Sequence, residues 1–168
     1  MSENQPRAVV LLRPAEPGDA AAIRALVRAA FAHYVERIGR EPAPMLLDWE
    51  AILGGEAPRA EVTLAVRGDA LAGVLYLELE VDHVLVDTVA VDAAERGSGL
   101  GARLLSLAEE RARGLGLPEV RLYTNQAMVE NVAYYPRRGY TETDRRGEGG
   151  FRRVFFAKRV EVASPTPP

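Results

Sequence analysis

The chemistry of this 168-residue chain is most constrained by Val89-Ala90-Val91-Asp92-Ala93-Ala94-Glu95-Arg96-Gly97-Ser98-Gly99-Leu100-Gly101-Ala102. An apolar run enters a loop with three alternate glycines, and an amphipathic stretch starts there. Glycine lets backbone approach a ligand closely, and the first N–H groups of a helix point outward without intrahelical partners. With the positive end of the helix dipole and the Arg96 guanidinium nearby, such groups suit phosphate oxygens. The run from Gly97 to Ala102 also fits the G-x-G-x-x-G/A spacing of dinucleotide-binding turns. Its context differs, because in that fold the glycine sits at the tip of the first strand, whereas Gly97 comes six positions after Val91 and mid-chain. No Gly-Lys-Ser/Thr follows, so a Walker A loop is excluded. A nucleotide-dependent oxidoreductase therefore rests on glycine spacing alone. The chain holds no cysteine, which excludes disulfides, a thiolate nucleophile and cysteine metal sites. Its two histidines, His33 and His83, are fifty residues apart, so no metal centre is expected.

Several elements must position that loop. Residues 9–12 read as a strand. Pro17-Gly18 breaks the chain, and Asp19 is expected to cap a helix whose apolar face is Ile23, Leu26, Val27, Ala30, Phe31 and Tyr34. Gly39, Pro42 and Pro44 make 38–45 a loop, and 46–53 read as a short helix stopped by Gly54-Gly55. Residues 61–67, 71–81 and 84–91 read as strands of an antiparallel meander, turned at Gly68-Asp69 and Asp82-His83. Leu100, Leu104, Leu107, Ala108 and Arg111 mark the helix after the glycine loop. Residues 120–123 read as a buried strand, and 128–138 as a helix weakened late by Pro136. Residues 141–146 and 151–159 read as a closing hairpin. The expected class is α/β, or α+β, with a mixed sheet. Residues 1–163 are expected to form one domain, with a proline-rich, disordered tail at 164–168.

Arg96-x-x-Gly99-x-Gly101 resembles the Q/R-x-x-G-x-G/A signature of the GNAT superfamily of acetyl-CoA-dependent N-acetyltransferases. Val89-Ala90-Val91 is similar to the strand before that signature. Asn131-Val132-Ala133-Tyr134-Tyr135-Pro136-Arg137-Arg138-Gly139-Tyr140 is similar to the family's later helix, which ends in Tyr-x-x-x-Gly-Phe/Tyr. The resemblance covers about residues 9–160. It implies a mostly antiparallel sheet, splayed between its fourth and fifth strands and flanked by helices. It also implies acetyl-CoA as co-substrate, with backbone groups of Val89, Ala90 and Val91 bonding the pantetheine arm. The pyrophosphate would lie on Arg96, Gly97, Ser98, Gly99, Leu100, Gly101 and Ala102. A backbone N–H near Val89 would polarise the acyl carbonyl, an amine would attack directly, and Tyr135 would protonate the leaving thiolate. Tyr134 lies about 100° further round the helix. Members often carry Asn seven residues before this tyrosine and Ala three later; Met128 and Asn131 stand there, and Asn131 is assigned to the cofactor or substrate side.

An ammonium must lose a proton before it attacks. Asp87, two residues before Val89, is expected on the same strand face as base or substrate anchor. Glu78, Glu80 and Asp82 alternate on the preceding strand and are expected to draw a cationic acceptor. Tyr34 and Arg37 on the first helix, with Arg40 in the following loop, fall where the family builds its acceptor pocket, and an arginine there would meet a substrate carboxylate.

Residues 1–110 carry 10 basic and 18 acidic side chains and 111–168 carry 11 and 6, so an acidic first part precedes a basic end. The overall charge of −3 argues against nucleic acid as partner. No 18-residue apolar stretch is present, and residues 1–7 lack the apolar core of a signal peptide, so a cytoplasmic location off the membrane is expected. The expected function is acetyl transfer from acetyl-CoA to a primary amine of a small molecule or peptide. The alternative is a catalytically inactive module that binds acetyl-CoA, and a homodimer is left open.

Overall fold

The structure, a computed structural model, describes residues 7–162. The expectations for residues 1–6 and for the tail at 164–168 lie outside the described residues. Seven strands form one sheet in the order β1-β2-β3-β4-β5-β7-β6. They are β1 (Val10–Pro14), β2 (Ala60–Arg67), β3 (Ala70–Leu79), β4 (Val84–Val91), β5 (Glu119–Asn125), β6 (Thr141–Glu148) and β7 (Phe151–Arg159). Every neighbouring pair is antiparallel except β4 with β5. The expected mixed α/β class with a mostly antiparallel sheet therefore stands.

One face of the sheet is covered by α1 (Ala20–Phe31) and α3 (Trp49–Ala51), the other by α4 (Leu100–Gly114) and α5 (Val129–Arg137). Ile23 and Val27 of α1 and Trp49 of α3 meet Leu64, Val74, Tyr76 and Ala90 in one core cluster. Leu100, Leu104, Leu105 and Ala108 of α4 meet Val84, Val86, Val120, Leu122, Val154 and Phe156 in the other. Each such aliphatic side chain contributes about 1.5–3 kcal/mol by leaving water. A Cβ on Gly73 would stand 3.1 Å from the Ala90 carbonyl oxygen and 3.2–3.3 Å from Leu104 and Leu100 methyls. The absence of a side chain there lets α4 lie close on β3, which places its first turn at the end of β4.

Several local expectations are corrected. The first helix ends at Phe31, and Tyr34 starts a separate α2 (Tyr34–Ile38), closed by Gly39 at φ +84°. The predicted loop at 38–45 thus begins as a helix end and finishes in a 3-10 turn at Ala43–Leu46. The predicted helix at 46–53 shrinks to α3 and a π turn at Ile52–Glu56. Trp49 accounts for this: it is 1% exposed and meets Tyr76 edge-on with centroids 5.7 Å apart, which anchors that short turn on the sheet. Asp19 sits at the start of α1 but makes no cap; its carboxylate accepts from Arg13 Nη1 and Nη2 at 2.8 and 2.9 Å and from the Glu16 N–H at 2.7 Å. Strand β3 stops at Leu79, two residues short of its predicted end.

Two irregularities shape the centre. β4 and β5 pair only through Val84–Val86 and Val120–Leu122. Beyond them the strands diverge, so Asp87 to Val91 and Tyr123 to Asn125 face an open wedge. In the β3–β4 ladder, Tyr76 pairs with Thr88 and Leu77 with Val86, which leaves Asp87 as an extra, bulged residue. Val84 and Val86 belong to the α4-side core, and Val89 and Val91 pack against it, whereas Ala90 belongs to the α1-side core. The two-residue alternation is therefore broken at Asp87. The expectation that Asp87 shares the Val89 face through alternation fails, because it assumed a regular strand.

Candidate functional site

The loop after β4 turns through Ala93–Glu95 and enters α4 at Gly99. Gly97 and Gly99 have φ of +77° and +82°, a region that L side chains rarely enter. Gly101 lies inside the helix, where a Cβ would meet only a Val91 methyl, at 3.8 Å. The Leu100 N–H donates to Ser98 Oγ at 3.3 Å, while the N–H groups of Gly97, Gly99, Gly101 and Ala102 have no backbone acceptor among the described residues. These open donors begin a fifteen-residue helix, which suits a phosphate-bearing ligand. Glu95, 4% exposed, anchors the turn by accepting from Arg67 Nε at 2.7 Å and Nη2 at 3.0 Å. The Arg67 guanidinium holds the Glu95 carboxyl below the usual range.

Two cavities fill the wedge. The wider, about 1970 Å³ including space open to solvent, runs from Arg96 and the glycine turn along Val89 to Val91 to Tyr134 and Tyr135. The other, about 740 Å³ and likewise including space open to solvent, lies between β4, β5 and the chain at Pro42 to Leu47. Phe31, Val89, Asn131 and Tyr135 line both. They mark the place where a molecule in one cavity meets a molecule in the other.

Tyr135 is presented by α5 and held by its ring, with centroids 5.5–5.8 Å from Tyr134, Tyr140 and Phe156. Its hydroxyl has no hydrogen-bond partner among the described residues, and burial pushes its pKa well up, so it remains a proton donor. Asn131 donates to Thr124 Oγ1 at 3.2 Å, tying α5 to β5. Asp87 reaches the smaller cavity from its bulge and accepts from Thr88 Oγ1 at 2.9 Å. Desolvation raises the Asp87 pKa, the Thr88 hydroxyl opposes this, and Glu78 adds to the rise while Arg153 lowers it. Burial pushes the nearby Tyr123 hydroxyl up to about 12, with the Asp87 charge adding to it.

The expected acidic trio does not assemble. Glu78 accepts from Tyr76, and Glu80 is taken by Arg59 at 2.7 Å. Asp82 is taken by His83 at 2.7 Å and Arg121 at 3.4 Å. None of the three lines the smaller cavity, and Asp87 is its sole carboxylate. Tyr34 lines the wider cavity. Arg37 contacts the Glu130 carboxylate at 2.7 Å and the Ala127 carbonyl at 3.3 Å, so it ties α2 to α5 rather than facing the acceptor space. Arg40 covers the Phe151 ring with its guanidinium 4.1 Å from the centroid. The cation that does line the smaller cavity is Arg153, on β7. Sequence reasoning missed it, although Phe151 and Arg153 alternate on the closing strand and so share a face. Among the described residues no group of three His, Cys, Asp or Glu side chains converges, and no helix is long and apolar enough to cross a membrane.

The sheet splayed at β4 and β5, with the open donors of the glycine turn at the end of β4, is the arrangement that the resemblance of Arg96-x-x-Gly99-x-Gly101 implied. Residues 21–140 match the acetyltransferase (GNAT) family model, and the chain belongs to that family. It is similar to the mycothiol acetyltransferase of Streptomyces bingchenggensis, with 34% identity over 141 residues, 80% of this chain and 44% of that protein. The chain thus spans under half the length of this curated relative. Two solved structures share the fold, each with a TM-score of 0.71 at 15% identity. The ribosomal-protein-S18-alanine N-acetyltransferase from Escherichia coli aligns over 95% of this chain and 99% of its own. The PaiA N-acetyltransferase from Thermoplasma acidophilum, in complex with coenzyme A, aligns over 90% and 99%.

Proposed function

We propose that this chain transfers the acetyl group of acetyl-CoA to a primary amine by direct attack. The observation that carries the reading is the meeting of the two cavities at Val89, Asn131 and Tyr135. Acetyl-CoA fits the wider cavity: the open N–H groups of Gly97, Gly99, Gly101 and Ala102, with Arg96, would hold its pyrophosphate. The unpaired edge of β4 from Val89 to Val91 would bond its pantetheine arm as a further strand would. When bound it supplies an acyl carbon activated as a thioester, which gains a C–N bond to the amine as its C–S bond breaks.

The chain's own groups then handle protons and orientation. A backbone N–H at Val89 polarises the carbonyl oxygen, in the manner of an oxyanion hole. Tyr135 donates to the sulfur as it departs; a thiol has a reference pKa of about 8.5, so the donor assists expulsion near neutral pH. Asp87, whose pKa desolvation raises, takes the proton that the ammonium loses, directly or through water. The balance is one ammonium and one thioester to one amide, one thiol and one released proton.

Calorimetric titration with acetyl-CoA, followed by thiol release in the presence of primary amines, tests the reading. Acetyl-CoA is expected to bind, and at least one amine to release thiol. Binding with no release from any amine or peptide would identify an inactive binding module instead.

A further inference from the structure

Resting on that reading, we propose that the acceptor is a compact, apolar-bodied amino acid whose amine faces Asp87 and whose carboxylate is received by Arg153. The smaller cavity carries one acid and one base. Asp87 is its sole carboxylate and Arg153 its sole cation, while Phe31, Pro42, Pro44, Leu47, Met128 and Phe151 supply apolar wall. A polyamine or an aminoglycoside needs several anions and would meet the Arg153 charge. A simple hydrocarbon amine would leave the Nε–Nη2 edge of Arg153, which Glu148 does not occupy, without an acceptor. An amine and a carboxylate on one small body match both.

Arg153 is built to receive an anion. Its side chain is only 13% exposed. Its guanidinium lies over Tyr123, 4.3 Å from the ring centroid, and 5.7 Å from that of Phe151, which fixes the plane. Nη1 donates to Glu148 at 2.9 Å. Glu148 is not part of the smaller cavity's wall; it lines a separate hollow with Arg121 and Phe155. Nε and Nη2 of Arg153 make no hydrogen bond to any described residue, which leaves the fork that carboxylates prefer. Asn125, opposite Arg153 in the β5–β7 register, accepts from the Ala127 N–H at 2.9 Å through Oδ1, so its Nδ2 hydrogens are free to assist.

The test is steady-state thiol release from acetyl-CoA with matched pairs: phenylalanine against phenethylamine, and leucine against isoamylamine. Spermidine and a hexapeptide with a free N-terminus complete the panel. The amino acid of each pair is expected to have a kcat/KM at least tenfold above its decarboxylated partner. In Arg153→Gln that ratio is expected to fall towards one, consistent with losing hydrogen bonds to a charged group, worth about 10- to 100-fold. Arg153→Lys, which keeps the charge without the fork, is expected to retain part of it. The wild-type pairs decide the matter even if a variant fails to fold. Equal or better turnover of phenethylamine, spermidine or the peptide overturns the proposal, as does an unchanged ratio in Arg153→Gln. Acetyl-CoA binding without thiol release from any panel member overturns the amino-acid assignment alone. Failure to bind acetyl-CoA overturns the acetyltransferase reading beneath it.

Discussion

Tyr135→Phe removes one oxygen and keeps the ring that Tyr134, Tyr140 and Phe156 surround at 5.5–5.8 Å between centroids. The hydroxyl has no partner among the described residues, so its loss leaves no group inside the protein unsatisfied. The stability change should stay under about 1 kcal/mol. What the variant loses is the proton donor where the two cavities meet, and general-acid steps are worth about 10²–10⁴-fold. Single-turnover thiol release at saturating acetyl-CoA should therefore slow by that factor, while the calorimetric affinity for acetyl-CoA stays within about twofold. The pH dependence carries a second signature. Burial raises the Tyr135 pKa, and a raised pKa keeps the donor protonated at and below its ordinary value. Wild type should accordingly show no loss of rate assignable to this group as pH rises from 6 to about 9.5, below the phenol reference of about 10. A phenylalanine variant that turns over within threefold of wild type when chemistry is limiting would refute the role.

Gly101→Val should weaken acetyl-CoA binding at least tenfold with the fold intact, since φ is ordinary there and only a Val91 methyl lies near, at 3.8 Å; titration and melting curves together check it. Asp87→Asn should lower kcat/KM most at acid pH, where free amine is scarce, with partial recovery as pH rises; parallel profiles would remove Asp87 as base. The same variant should melt higher than wild type at neutral pH. A folded-state pKa raised above the unfolded value means stability is full at low pH and lost as pH rises through the folded pKa, so the gain should vanish in acid. Trp49→Ala, removing a side chain 1% exposed, should cost about 3–5 kcal/mol in denaturant unfolding.

The glycine turn was legible in the sequence because its requirements are local: two left-handed residues and a helix start have a compositional signature. The wedge, and the role proposed for Tyr135, came through resemblance, since no periodicity reports where two strands part. The side-chain face of Asp87 was not legible. A one-residue bulge flips the alternation, and nothing in Val84-Leu85-Val86-Asp87-Thr88-Val89 marks it. Glu80 and Asp82 looked available because their partners, Arg59 and Arg121, are 21 and 39 residues away along the chain. Arg153 was overlooked for the converse reason. In isolation it is one of several arginines in a hairpin, and only the pairing of β5 with β7 sets it over Tyr123 at the cavity wall. The end of α1 at Phe31 carries no glycine or proline, so a continuous apolar stripe concealed it.

The seam between β4 and β5 has a consequence for how the molecule opens. Three residue pairs are all that join a half-sheet built from chain positions before 92 to one built after 118. Each half closes its own ladder, and beyond the three pairs the halves are joined through the core beneath α4, so the seam is the weakest line of the sheet's hydrogen bonding. Amide hydrogens at Val120 to Leu122 on that line should exchange at a lower free energy than those in the interior of β3. A molecule lodged in the wedge touches both halves, and by binding only the closed arrangement it would raise protection on the two sides together.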